Sequence, residues 1–72
     1  MTQSDIIQVR INGETKRVAA GSTIAALVAD LGVDPKRVAV ERNLEIVPRS
    51  TLGDVAVADG DAFEIVYFVG GG

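Results

Sequence analysis

The chain contains no cysteine, no histidine and no tryptophan. Without a thiol there is no disulfide, no thiolate nucleophile and no cysteine-held metal. Without an imidazole, the commonest acid–base group near neutral pH is missing too. Cysteine usage therefore gives no reading of the redox compartment. Only three aromatic residues are present, Phe63, Tyr67 and Phe68. No apolar run approaches the roughly 20 residues that a membrane helix needs. The start, Met1-Thr2-Gln3-Ser4-Asp5, has the features of neither a signal peptide nor a transit peptide, so a cytoplasmic protein is expected.

What is present is small and aliphatic. Eleven Val, nine Ala, six Ile and four Leu make up most of an apolar share of 47% in 72 residues. That share, with 24% charged residues, fits a folded globular chain and not a disordered one. The length allows a single domain, which buries only about 60–65% of the surface its unfolded chain exposes. The net charge is −3 and the sequence pI about 4.6. The seven cations are scattered, so no basic stripe exists for a nucleic acid or an anionic membrane.

Periodicity divides the chain. Ile7, Val9 and Ile11 alternate with Gln8 and Arg10, which predicts a half-buried strand over Ile6 to Ile11. Asn12-Gly13 is a two-residue hairpin signal, with the return strand from Glu14 to Ala19. Ser22 or Thr23 can cap a helix whose face is Ile24, Leu27, Val28 and Leu31. Gly32 sits where a left-handed residue closes such a helix, and Pro35 prevents its resumption. At about two and a half turns the helix is too short to stand alone and must lie on a sheet. Val38 to Glu41 predicts a third strand with Val38 and Val40 inward. A turn at Asn43-Leu44-Glu45 follows, and Pro48 closes the short edge strand Ile46-Val47. The stretch from Arg49 to Ala58 is irregular, with Leu52, Val55 and Val57 as plugs. Asp59-Gly60-Asp61 is a tight turn, and Ala62 to Val69 is the last strand. The order gives an α+β layer structure: a mostly antiparallel sheet with one helix across one face. The first and last strands are expected to lie side by side and parallel at its centre.

Several stretches together resemble a family. Val38-Ala39-Val40-Glu41-Arg42-Asn43, Glu45-Ile46-Val47-Pro48-Arg49-Ser50, Asp59-Gly60-Asp61, Glu64-Ile65-Val66 and Phe68-Val69-Gly70-Gly71-Gly72 are similar to the sulfur carrier proteins of thiamine biosynthesis. The likeness runs from the Asn12-Gly13 hairpin to the last residue. Leu44 departs from it, standing where the family commonly has a second glycine, which leaves the turn type open. The resemblance implies a ubiquitin-like β-grasp fold with four to five strands in a mixed sheet and one main helix. It implies one domain over residues 1–69 and a flexible glycine tail over 70–72.

It also implies that the functional group is the carboxyl end. The Gly72 carboxylate would be adenylated, converted to a thiocarboxylate, and used as a sulfur donor to thiazole synthase. Gly70 and Gly71 would thread into partner sites, where a residue without Cβ permits close approach. The implied partners are an E1-like adenylating enzyme that uses ATP, thiazole synthase, and a sulfur donor such as a cysteine desulfurase. The chain itself would bind no cofactor and no metal, and would be a co-substrate, not an enzyme. Glycine-rich ends are often simply frayed; the whole-chain likeness decides against that. A carrier for molybdopterin synthesis, a ubiquitin-type protein modifier and a bare interaction module are the alternatives.

The last strand suggests where partners dock. With Glu64 in solvent, alternation sends Ala62, Val66 and Phe68 to the same outer face and Phe63, Ile65, Tyr67 and Val69 to the core side. Val66 and Phe68 then form an exposed apolar patch on a polar sheet face. Arg10, Lys16, Arg17, Arg42, Arg49, Asp59, Asp61 and Glu64 are rim charges by the same reasoning. Glu41 and Glu45, loop carboxylates without a cleft, are given no catalytic part.

Overall fold

The computed structural model of the protein describes residues 5–68. Strand β1, Ile6–Ile11, turns at Asn12-Gly13 into β2, Glu14–Ala19, and the two pair antiparallel with Ile11 opposite Glu14. Both turn residues have positive φ, 52° and 88°, as a tight hairpin whose twist matches its strands requires. Helix α1, Ile24–Asp30, begins after Thr23, whose hydroxyl accepts the Ala26 N–H at 3.1 Å. The N–H groups of Ile24 and Ala25, orphaned at a helix start, donate to the carbonyls of Val55 and Leu52. The irregular 49–58 segment is thus tied to the helix start, and Leu52 and Val57 are buried under it. At the other end Gly32 takes φ +84°, while its N–H and that of Val33 reach back to Ala29 and Val28. That is a Schellman closure, and it stops the helix after two turns.

A short 3₁₀ turn, Pro35–Arg37, leads into β3, Val38–Arg42, and β3 turns at Asn43-Leu44 into the three-residue β4, Glu45–Val47. A second 3₁₀ turn, Arg49–Thr51, opens the long connection to β5, Ala62–Tyr67. The sheet order is β2-β1-β5-β3-β4, with β1 and β5 parallel at the centre and all other pairs antiparallel. One face receives α1. Between them lies the core: Val9 and Ile11, Ile24, Leu27 and Val28, Val38 and Val40, Phe63 and Ile65. No helix among the described residues is long and apolar enough to cross a membrane.

Two expectations need correction. The last strand ends at Tyr67, and Val69 lies outside the described residues. Tyr67, on the inward side near the strand's end, is only partly covered, at 55% exposed. Asp61 is not a rim charge. It is buried, and its carboxylate accepts from Arg42 Nε at 2.9 Å, Asn43 Nδ2 at 3.1 Å and the Ala58 N–H at 2.8 Å. Burial acts to raise its pKa, but these donors outweigh it and hold the carboxyl below its ordinary value.

Two stability predictions follow. A carboxylate with a lowered pKa stabilises the fold above its unfolded value of about 3.9, and that contribution is lost as pH falls through the folded value. Asp61→Asn should therefore cost about 2–3 kcal/mol at pH 7, measured as a shift in the urea midpoint, and the difference from the parent should shrink at pH 3. A difference of equal size at both pH values would show that the charge is not what matters. In the second hairpin Leu44 has φ +73° with its side chain in solvent. A left-handed conformation costs a residue with Cβ about 1–2 kcal/mol, against about 0.5–1 for the extra entropy of a glycine. Leu44→Gly should raise stability by up to about 1 kcal/mol and Tm by several degrees, read by thermal unfolding.

Candidate functional site

Strand β5 has a different neighbour on each face. Phe63 and Ile65 point into the core and are 1% and 5% exposed; Glu64 and Val66 point away from the helix. Phe68 follows in the same alternation, its backbone N–H donating to the Arg37 carbonyl at 2.9 Å. That bond extends the β3–β5 ladder one step and fixes where the chain leaves the sheet. Val66 and Phe68, the two patch residues expected from alternation, are 59% and 54% exposed.

The sheet register adds residues that sequence reasoning did not place there. Val66 lies opposite Ala39 on β3. Glu41 lies opposite Glu64 on one side and opposite Ile46 of β4 on the other. Ile46 is 78% exposed, and it joins Val66 and Phe68 on the outer face. Its signal was available in outline: Val47, its neighbour, is half-buried against the core, so Ile46 must face out. A three-residue strand, however, gives no alternation to count.

Half of the expected rim charges have structural partners. Arg42 pairs with Asp61, Arg49 Nε donates to the Val38 carbonyl at 3.1 Å, and an Asp59 carboxylate oxygen accepts the Gln8 N–H at 2.9 Å. Arg10, Lys16, Arg17 and Glu64 form no ion pair among the described residues, where Arg42–Asp61 is the one such pair. No group of acidic residues placed to hold a metal ion occurs among the described residues. An open groove of about 400 Å³ on the helix side, lined by residues that include Lys16, Leu31 and Tyr67, brings no set of reactive groups together. Gly70, Gly71 and Gly72, the expected tail and attachment point, lie outside the described residues. The candidate site among the described residues is therefore the apolar outer face that ends at Phe68; Val69 and the three glycines follow it in the sequence.

The ThiS family model matches residues 9–72. The sulfur carrier protein ThiS of Bacillus subtilis is 40% identical over 65 residues, covering 89% of this chain and 98% of that protein. A thiazole synthase of Paramagnetospirillum magneticum is 60% identical over 62 residues, and one of Magnetococcus marinus 42% identical over 66. The matches cover 86% and 92% of this chain but only 19% and 20% of those proteins, so the chain spans about a fifth of their length. The crystal structure of a thiamine biosynthesis protein (ThiS) from Geobacter metallireducens superposes with a TM-score of 0.76 at 35% identity, covering 92% of this chain and all of that one. A designed protein based on human erythrocytic ubiquitin superposes at 0.54 and 16% identity over 96% of this chain and 98% of its own, a likeness of fold alone.

The two faces of β5 should respond oppositely to substitution. Phe63→Ala opens a cavity in the core and should cost about 3–5 kcal/mol, enough to threaten a domain this small. Phe68→Asp should leave the thermal midpoint within a few degrees of the parent, because its ring is already half in water. Unfolding of Phe68→Asp in circular dichroism would mean that the outer face is a covered one.

Proposed function

The chain belongs to the ThiS family of sulfur carriers in thiamine biosynthesis, and on that premise we propose that sulfur rides on the terminal carbonyl carbon of Gly72. The likeness to segments of two thiazole synthases supports thiazole synthase as the acceptor. An E1-like adenylating enzyme and a sulfur donor such as a cysteine desulfurase complete the set of partners, and the cytoplasm is where they meet.

The chemistry runs on the partners' catalysis and on this chain's end. A glycine carboxylate has a pKa of roughly 3.3–3.7 and is ionised at neutral pH, which makes it a poor electrophile. One of its oxygens attacks the α-phosphorus of ATP, and pyrophosphate leaves. The resulting mixed anhydride has AMP as its leaving group. The outer sulfur of a persulfide on the donor then attacks the Gly72 carbonyl carbon and the C–O bond to AMP breaks, giving an acyl disulfide. A thiol of a partner attacks the donor's sulfur and its S–S bond to the acyl sulfur breaks, leaving a disulfide with the donor and a C-terminal thiocarboxylate. That sulfur is the nucleophile delivered to thiazole assembly. This chain contributes no acid, base or nucleophile side chain to any step; it is a co-substrate in each.

Glycine at three successive positions suits that role. Each partner must enclose the same carbonyl in a narrow site, and a residue without Cβ permits backbone angles and approaches barred to others. Three residues span about 10 Å when extended, enough to carry the carbonyl beyond the sheet. Val66 and Phe68, beside the point where the chain leaves β5, are the docking surface.

The observation that carries this reading is the family match running through Gly72. It is tested by incubating the protein with the adenylating enzyme, ATP and a sulfur donor, and measuring intact mass. One oxygen should be exchanged for one sulfur, and the change should map to Gly72. Deletion of Gly72 should abolish it, and Phe68→Asp should slow it while preserving the fold. A Gly72 deletion that is still thiolated would overturn the proposal. Transfer to molybdopterin synthase in place of thiazole synthase would reassign the pathway.

A further inference from the structure

Glu41 and Glu64 are Cα partners in the antiparallel pair of β3 and β5, on the outer face of the sheet. Directly opposed side chains in such a pair have Cβ atoms about 4.5–5.5 Å apart, and like charges there destabilise the sheet. Among the described residues neither carboxylate forms an ion pair: Arg42, the nearest cation in sequence to Glu41, is committed to Asp61. Arg10 lies opposite Ala62 on β1, two residues along β5 from Glu64, and forms no ion pair with it. Apolar groups flank the acidic pair, with Ile46 beside Glu41 and Val66 two residues beyond Glu64. Like charges opposed in register at the middle of an apolar patch add nothing to the stability of the free sheet.

We propose that this face docks a partner protein through an arginine or lysine set over the Glu41–Glu64 pair, with apolar partner groups packing on Ile46, Val66 and Phe68. The inference rests on the carrier function above and states what the adenylating enzyme presents to it. An arginine fits best, because its planar fork bridges two carboxylates and its faces pack on apolar neighbours. An anionic membrane or a nucleic acid would be repelled. A two-fold dimer through this face would set four carboxylates together, so a second copy of the chain is disfavoured by the same charges.

The charge pair gives the proposal a signature that a structural role lacks. Glu41→Gln and Glu64→Gln each relieve repulsion, so neither should lower Tm. Each should nevertheless weaken binding to the cognate adenylating enzyme by about tenfold or more, the scale for truncating one partner of a desolvated charge pair. Affinity is read by isothermal titration calorimetry at low and at high salt, with Asp30→Asn on the helix as the control expected to bind like the parent. The variants should also lose most of the salt dependence. Unchanged affinity in the Glu41→Gln/Glu64→Gln double variant overturns the inference, as does a loss of affinity matched by a fall in Tm. So does a parent dimer in sedimentation equilibrium that the double variant abolishes. Intact-mass thiolation with excess enzyme separates this from the carrier function. A parent that binds but is never thiolated defeats the carrier role, whereas thiolation with unchanged variant affinities defeats the docking inference alone.

Discussion

The fold depends on the seam between β1 and β5, which joins the two ends of the chain. It is a parallel pairing, and its short main-chain ladder runs through Gly60 to Gln8, Arg10 to Asp61 and Asn12 to Phe63. Side chains lengthen it at both ends. The Asp59 carboxylate accepts the Gln8 N–H at one end. At the other, the Asn12 amide donates to the Ile65 carbonyl at 3.1 Å and accepts the Ile65 N–H at 2.8 Å, standing in for a peptide group after the chain has turned away. Asn43 does the same on the far side of β5, accepting the Ala62 N–H at 2.9 Å. Both asparagines have positive φ near 50° and begin the hairpin turns that follow β1 and β3, the two neighbours of β5. Each serves as a turn residue and as a clamp on the central strand.

That double duty marks the limit of what the sequence discloses. Strand alternation, the helix face, the Thr23 cap and the Gly32 closure are local, and each was legible from a few adjacent residues. The parallel placement of β1 beside β5 was expected from element order, but no residue pattern carried it, and it is the structure that shows it. The reach of Asn12 to Ile65 spans 53 positions and depends on which strand lies beside the turn, so no local pattern announces it. The same holds for Asp59, Asp61, Arg42 and Arg49, which read as solvated charges until the neighbouring backbone is known. For the site, alternation was enough to place Val66 and Phe68, while Ile46 and the Glu41–Glu64 opposition required the register. The role of Gly72 came from resemblance to a family and from carboxyl chemistry.

A domain with a core of small aliphatics has little stability to spare. It nevertheless keeps three local costs: a leucine at φ +73°, two carboxylates face to face, and large apolar groups in water at Ile46, Val66 and Phe68. The last two lie on the outer sheet face and Leu44 on the hairpin that carries Ile46, while the helix side has Thr23, Gly32 and a filled core in mutual agreement. Tyr67 aside, these local conflicts lie on or beside one face, which points to that face as the one under a demand other than folding.

Recognition and chemistry are then divided along the chain. The sheet face is held by the β1–β5 seam, whereas the carbonyl proposed to react stands four residues beyond Phe68. Four residues reach at most about 13–14 Å, so a partner that grips Ile46, Val66 and Phe68 must hold its own reactive centre within that radius. Successive partners meet the same constraint with the same face, and one carbonyl occupies one site at a time. The face must therefore release each partner once its step is done.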